Sequence, residues 1–340
     1  MPRRIAVVIV NYRTAELALG ALASLDAERT REPGLEVVIV DGGSGDGSAD
    51  RLRAGLRAPR YAGWTSLLAL EINGGFGWAN NQAMLRLMQS GTPPDYIHLL
   101  NPDTRIEPGA VASLADALDA HRRCGAVGSL LLEPDGSPSG SAFAFITPRR
   151  ELARGAKLGL ADRLLRLPPY AIEQPASEVD WVTGASVMLR AEALREAGLF
   201  DTGFFLYFEE MELMARIRRA GWTIRHEPAS RVVHVGGAAT GINGSRPTSR
   251  RPPLPAYWYE SRRRFFTLGG GRSLALASSL GWLAGHAALL ARRLVGSGRD
   301  HPIVARDARR LLLHGLVPKR ATPAFPRWND PPGAPPAWMR

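Results

Sequence analysis

Several polar clusters in this chain combine groups that could handle a phosphorylated ligand. Three of them follow short apolar runs: Asn11-Tyr12 after Ile5 to Val10, Asp41-Gly42-Gly43-Ser44-Gly45-Asp46 after Val37 to Val40, and Asn101-Pro102-Asp103-Thr104 after Tyr96 to Leu100. A carboxylate such as Asp41 can accept a hydrogen bond from a pyrimidine N3–H, or it can simply fold its own turn. Asp46 can cap a helix. Asp103 offers a hard oxygen suited to Mg²⁺ or Mn²⁺, or it caps a helix beginning near Gly109, and position alone does not choose. Each turn taken singly has an ordinary structural reading. Three on the same edge of one sheet weaken that reading.

Two further groups complete the set. In Asn73-Gly74-Gly75-Phe76-Gly77-Trp78-Ala79-Asn80-Asn81 the glycines let the backbone approach a ligand, and Asn80 or Asn81 can reach phosphate or sugar oxygens. Glu209, Glu210 and Glu212 crowd the first turn of a helical pattern running from Phe208 to Ala220, with Gly221 placed to end it. A carboxylate there can act as a base, although acids favour helix starts anyway. Crowding raises its pKa and the helix dipole lowers it. His234 ends the run Arg231 to Val235, ahead of Gly236-Gly237, and serves either the core or, through a neutral imidazole nitrogen, a metal.

These residues need a scaffold that presents strand ends. The runs Ile5 to Val10, Val37 to Val40 and Tyr96 to Leu100 are continuous and apolar, with helical patterns at Thr14 to Leu25 and Gly109 to Ala120. Strands apolar on both sides imply a parallel sheet covered by helices, so the first half reads as a doubly wound α/β domain. Such sheets bind ligands beyond the carboxyl ends of their strands. Thr147 to Glu178 lacks long periodicity and reads as an excursion, Val179 to Leu189 alternates as a strand, and Gly236 to Pro255 is loop-like. Ser273 to Ala291 carries no charge, and a Pro-rich tail follows Val317.

Composition narrows the class. With 340 residues, 45% hydrophobic and 22% charged, the chain can bury a full core, which excludes disorder and small disulfide-stapled scaffolds. The single Cys124 has no partner for a disulfide or a zinc cluster, and the apolar run after Arg3-Arg4 is too short for a signal peptide. The expected compartment is the cytoplasm. A formal charge of +11 points to a polyanionic partner: nucleic acid, an anionic membrane or a phosphate-bearing substrate. Nucleic acid is disfavoured because no reading helix or RNA-binding motif accompanies the charge. A dinucleotide oxidoreductase is disfavoured too, because Gly75-x-Gly77-x-x-Asn80 falls short of the fingerprint and Asn11-Tyr12-Arg13-Thr14 contains no glycine.

The ordered segments VVIVNYRT, VIVDGGSGDGS, NGGFGWANNQA, LLNPDT and VDWVTGASVMLR, followed by GLFDTGFFLYFEEMELMARIRRAGW and RVVHVGG, span about Val7 to Gly237. In these the chain resembles the family 2 glycosyltransferases, near their rhamnosyltransferase-like branch. The resemblance implies the GT-A fold, a Rossmann-like central sheet with a nucleotide-binding half, a metal-binding loop and an acceptor half that supplies the base. On that likeness residues 1–240 form the catalytic domain, with the nucleotide half at about 1–125 and the acceptor half at about 126–240. Residues 241–317 form a helical extension and 318–340 the tail. The matching Asp41 would recognise the nucleotide base, with Asn11, Asn73, Gly75, Asn80, Asn101 and Asp103 around the nucleotide sugar. Asp103 and His234 would hold Mg²⁺ or Mn²⁺. Glu210, with Glu209 beside it, would take the base position, where many members have Asp, and Trp181, Thr183 and Gly184 would line the sugar and acceptor pocket. The chain departs from the pattern at Gly42, usually Asn, and keeps only the last acid of the metal triplet.

The implied activity is inverting transfer of a sugar, with rhamnose the first candidate, from a dTDP- or UDP-sugar to a hydroxyl of a glycan or lipid-linked acceptor, as in surface polysaccharide assembly. The competing reading is a non-catalytic binder of nucleotide sugars or polyanions that keeps the fold. Ser273 to Ala291, next to Arg292-Arg293, fits an interfacial helix on an anionic inner leaflet, or a packed helix that closes the acceptor side or joins a homodimer.

Overall fold

The computed structural model describes residues 2–157, 165, 167, 169–171, 176–235, 254–294, 307–317 and 319–339. The strands are β1 Ile5–Asn11, β2 Leu35–Asp41, β3 Thr65–Ala69, β4 Tyr96–Leu100, β5 Thr104–Ile106, β6 Cys124–Leu132, β7 Ala142–Phe143, β8 Ser177–Val179, β9 Trp181–Val182, β10 Ser186–Arg190 and β11 Thr223–His234. The main sheet runs β3-β2-β1-β4-β10-β6-β11-β5, with β8 also on β11, and β7 pairs with β9 in a small second sheet.

The expected parallel sheet is present in β3, β2, β1 and β4. Beyond it the sheet becomes mixed, because β10 inserts antiparallel between β4 and β6. In β1, Ile5, Val7 and Ile9 bury into one core and Ala6 and Val8 into the other. That two-sided burial explains the unbroken apolar run.

Val179 to Leu189 is not one strand. The chain leaves β9 at Val182, turns through Thr183-Gly184-Ala185 and enters the main sheet at Ser186. Gly184 packs closely at this turn: a Cβ there would sit 3.3 Å from the ring of Phe76, the first residue of the helix Phe76–Met88. The excursion after Thr147 also differs from expectation. It opens with the helix Pro148–Ala156, capped by Thr147 Oγ1, which accepts from Arg150 N at 3.2 Å.

Ser273 to Ala291 lies in the helix Ala256–Leu294, interrupted at Gly270-Gly271. Glycines bring this helix against Pro148–Ala156: a Cβ on Gly285 would lie 2.1 Å from the Leu152 carbonyl oxygen, and one on Gly155 2.3 Å from that of Trp282. Buried Arg262 donates from Nε to Glu151 at 2.8 Å, tying the pair together. By length and composition the helix could cross a membrane, yet one face is committed to this packing.

The Pro-rich tail is threaded over the helix Phe76–Met88 and the segment around Asp201. Trp78 Nε1 donates to the Ala334 carbonyl at 2.8 Å, Gly333 N to Gln82 Oε1 at 2.7 Å, and Ala324 N to Asp201 Oδ2 at 2.8 Å. The loop expected at Gly236 to Pro255 lies outside the described residues, apart from Leu254 and Pro255.

Candidate active site

Asn11 and Asp41 are register partners at the carboxyl ends of β1 and β2, and both are buried. Asp41 Oδ1 accepts from Asn11 Nδ2 and from Ser44 Oγ, each at 2.7 Å, and its Oδ2 accepts from Ser44 N at 3.2 Å. Asp41 therefore does fold its own turn, yet Oδ2 retains acceptor capacity at the sheet edge. Ser44 is the hub of this loop, which residue types alone did not indicate. It also holds Arg13, whose N donates to Ser44 Oγ at 2.9 Å and whose Nε donates to the Ser44 carbonyl at 3.1 Å. Arg13 is exposed with φ of 59°, a cation at the rim that the motif reading passed over.

The glycine loop beside it is shaped by contact. Asn73 Oδ1 accepts from Gly75 N at 3.1 Å. Gly75 has φ of 89°, and a Cβ there would lie 1.9 Å from the Phe205 carbonyl oxygen. The two asparagines after it divide their work. Asn81 clamps the Phe200 backbone, donating from Nδ2 to its carbonyl at 2.8 Å and accepting from its N–H at 3.0 Å. Asn80 donates to the Phe76 carbonyl at 3.0 Å but leaves Oδ1 buried with no hydrogen-bond partner. A buried acceptor without a donor is costly, so Asn80 is the better placed of the two to meet a ligand.

Asn101, Asp103 and His234 come together through strand pairing. His234 is the register partner of Thr104 in the β5–β11 pair, which sets His234 Nε2 3.3 Å from Asp103 Oδ1 and 3.5 Å from Asn101 Nδ2. Asp103 does not cap the helix Ala110–Ala120. Buried Glu28 does so, accepting from Gly109 N at 2.6 Å and Val111 N at 3.0 Å. Two cis ligands of an octahedral ion with bonds of ~2.1 Å stand ~3 Å apart, so the Asp103–His234 separation fits one edge of such a site. Among the described residues no group of three His, Cys, Asp or Glu side chains gathers here or elsewhere. A cation at this edge would need its remaining ligands from water or from a phosphorylated substrate.

The candidate base lies on the helix Glu209–Arg219. Its entry is strained: Tyr207 and Phe208 both have φ of 70°, in the left-handed region that large side chains avoid. Glu212 is taken out of the crowd by Arg216, whose Nε donates to it at 2.8 Å. Glu209 is buried, and burial, then the charge of Glu210, holds its carboxyl well above the ordinary range. Glu210 is half-buried and also raised by burial, offset in part by its own backbone N–H and that of Gly184, which donate to its carboxylate. Each glutamate keeps Oε2 enclosed without a partner. The two carboxyls therefore titrate as a pair that holds a proton more tightly than free carboxylates do, with the stronger upward push on Glu209. The Gly184 turn joins the two centres, because Ala185 O next to it accepts from Asn101 N at 2.9 Å.

Residues 6–155 match the family model for glycosyl transferase family 2. Over that stretch, a little under half of its length, the chain is similar to the family 2 glycosyltransferases. It is 29% identical over 248 residues, covering 69% of this chain and 77% of the relative, to N-acetylglucosaminyl-diphospho-decaprenol L-rhamnosyltransferase of Mycobacterium tuberculosis. It is 26% identical over 164 residues, 47% of this chain and 60% of the relative, to rhamnosyltransferase WbbL of Escherichia coli. Both of these relatives are rhamnosyltransferases. The GT-A fold is shared with a solved mannosyltransferase from Pyrobaculum calidifontis in complex with GDP-Man and Mn²⁺, at TM-score 0.53 and 18% identity, covering 93% of this chain and 81% of that one. It is shared too with GalNAc-T7 bearing UDP, GalNAc and Mn²⁺, at TM-score 0.54 and 15% identity, covering 92% and 55%.

In this glycosyltransferase the family match includes Asn11, Asp41, Asn73, Gly75, Asn80, Asn101 and Asp103, whereas Glu209, Glu210 and His234 lie beyond it. So do the residues expected to line the acceptor pocket. Trp181 is buried, stacks on Phe143 with centroids 4.6 Å apart and donates to the Ala144 carbonyl at 3.2 Å, so it supports the pocket wall from behind. Thr183 Oγ1 accepts from Ala185 N at 3.3 Å and shapes the turn, while Gly184 faces Glu210 directly.

Proposed function

We propose that this glycosyltransferase works with inversion, moving a sugar, rhamnose first among candidates, from a dTDP- or UDP-linked donor to a hydroxyl of a lipid-linked glycan acceptor. The observation that carries this reading is Glu210: a half-buried carboxylate with a raised pKa, hydrogen-bonded by Gly184 and linked through Ala185 to the Asn101–Asp103 turn. A carboxylate whose pKa is raised is a stronger base towards an acceptor hydroxyl than an ordinary one.

In the reaction the acceptor oxygen forms its bond to C1 of the donor sugar as the bond from C1 to the diphosphate oxygen breaks. The bonding pair leaves with the nucleoside diphosphate, and the acceptor proton passes to Glu210. Asp41 and Asn11 would meet the nucleotide at the β1 and β2 ends, and the Asn80 Oδ1 acceptor would take a donor hydroxyl. Asp103 and His234 would hold a divalent cation, Mg²⁺ or Mn²⁺, which when bound offsets charge on the departing diphosphate.

Exposed Leu276, Leu280, Leu290 and Leu294 on the Ala256–Leu294 helix, followed by Arg292 and Arg293 in its last turn, support a peripheral position on an anionic cytoplasmic membrane face. The reading is tested by incubating the purified protein with dTDP-rhamnose or UDP-sugars, a lipid-linked acceptor and Mn²⁺ or Mg²⁺. A product of anomeric configuration opposite to the donor supports it; retained configuration would overturn it.

A further inference from the structure

A cavity of about 500 Å³ opens between the segment around Gly203 and Phe205, the first turns of the helix Ala256–Leu294 and the C-terminal tail. One wall is aromatic: Phe205 meets Tyr257 edge-on at 5.2 Å and Trp338 at 5.0 Å. The other wall is cationic, carrying Arg263, Arg264, Lys319 and Arg320 against one carboxylate, Glu260. Arg264 is spoken for, donating from Nη2 to Asp201 at 2.7 Å. Arg263 donates to the His314 carbonyl and lies near Glu260. Lys319 and Arg320 are exposed, and neither forms an ion pair among the described residues.

The cavity is fastened to both halves of the active site. Trp338 Nε1 donates to the Gly74 carbonyl at 2.9 Å, in the glycine loop assigned to the donor. Ser261 Oγ donates to the Leu206 carbonyl at 2.9 Å, shortly before Glu209 and Glu210. Concave, unpaired positive charge concentrates anions, and guanidinium groups bind phosphate oxygens in pairs. An aromatic face opposite that charge suits the sugar or hydrocarbon attached to such a phosphate. On the proposed reading the donor diphosphate lies at Asp103 and His234, so the cavity, built by the extension and tail, would be separate from the donor site.

We propose that this cavity binds the phosphate or diphosphate group of a phosphorylated acceptor, with Lys319 and Arg320 on the anion and Tyr257 and Trp338 on the organic part. Calling the ligand an acceptor rests on the glycosyl-transfer reading; the binding of an anion does not.

The test is calorimetric titration in EDTA, which removes metal-dependent binding at the donor site, using inorganic phosphate, inorganic diphosphate and geranyl diphosphate. The full chain should bind geranyl diphosphate more tightly than inorganic diphosphate, D103A should bind it as the wild type does, and K319A/R320A should bind it about tenfold more weakly with an unchanged melting temperature. Equal affinity of K319A/R320A and wild type, or no binding by either, overturns the proposal. Inorganic diphosphate binding as tightly as geranyl diphosphate overturns its acceptor part by identifying a site for free anions. Failure of the glycosyl-transfer reading would register elsewhere, as absence of nucleotide-sugar turnover by the wild type.

Discussion

Asp103 Oδ1 and His234 Nε2 stand 3.3 Å apart because β5 and the end of β11 pair antiparallel, with Thr104 opposite His234. The contact joins the turn between β4 and β5 to the last residue of β11, elements far apart in sequence. A divalent ion held there should couple to donor binding.

Mn²⁺ with dTDP at ~100 times its Kd should stabilise the wild type by ~2.7 kcal/mol. D103A and H234A should each lose most of that gain in a thermal-shift titration. Metal-dependent stabilisation persisting in both would remove these residues from the metal site.

The raised carboxyl of Glu209 gives a signed pH dependence. From the ordinary value of 4.5 upward, the unfolded chain releases a proton that native Glu209 keeps, because burial and the Glu210 charge oppose its ionisation. Its contribution is most favourable below that value and is lost as pH rises towards the native pKa. The melting temperature of E209Q should therefore fall less steeply than that of the wild type between about pH 5 and pH 8. Parallel curves would show that Glu209 ionises normally.

Gly75 should tolerate no side chain. With φ of 89° and the Phe205 carbonyl oxygen 1.9 Å from the place a Cβ would take, G75A should cost about 2–3 kcal/mol and reduce donor binding. G91A, where nothing lies within 4 Å of the added carbon, should melt as the wild type does. Denaturant titration of both variants checks the contrast.

What the sequence revealed follows from what burial leaves visible. β1, β2 and β4 are covered on both faces and so read as unbroken apolar runs. β6 passed unnoticed because Gly125 and Gly128 interrupt its pattern, and the structure gives the reason for both: a Cβ on Gly125 would meet the Ile217 side chain at 2.7 Å, and one on Gly128 the Val182 side chain at 2.6 Å. The break at Thr183-Gly184-Ala185 was hidden because the apolar alternation continues on both sides of it. At the site, the polar strand ends stood out by residue type. Asn80 and Asn81 could not be told apart, since their roles depend on which of them faces Phe200. The Gly184 N–H on Glu210 and the tail bonded to Gly74 leave no side-chain signature. Proline-rich composition gave the tail no contacts, and its backbone groups bond to Gln82, Trp78 and Asp201.

The central claim is that Glu210 takes the acceptor proton while its neighbour Glu209 stays protonated. The most direct measurement is kcat for sugar transfer by E210Q and E209Q under saturating donor and metal. E210Q should lose about 10²–10⁴-fold while retaining donor affinity, because proton transfer in the transition state is worth that much. E209Q, which replaces a neutral acid by a neutral amide, should stay within several-fold of the wild type. Near-full turnover by E210Q together with an inactive E209Q would contradict the account and move the base to Glu209.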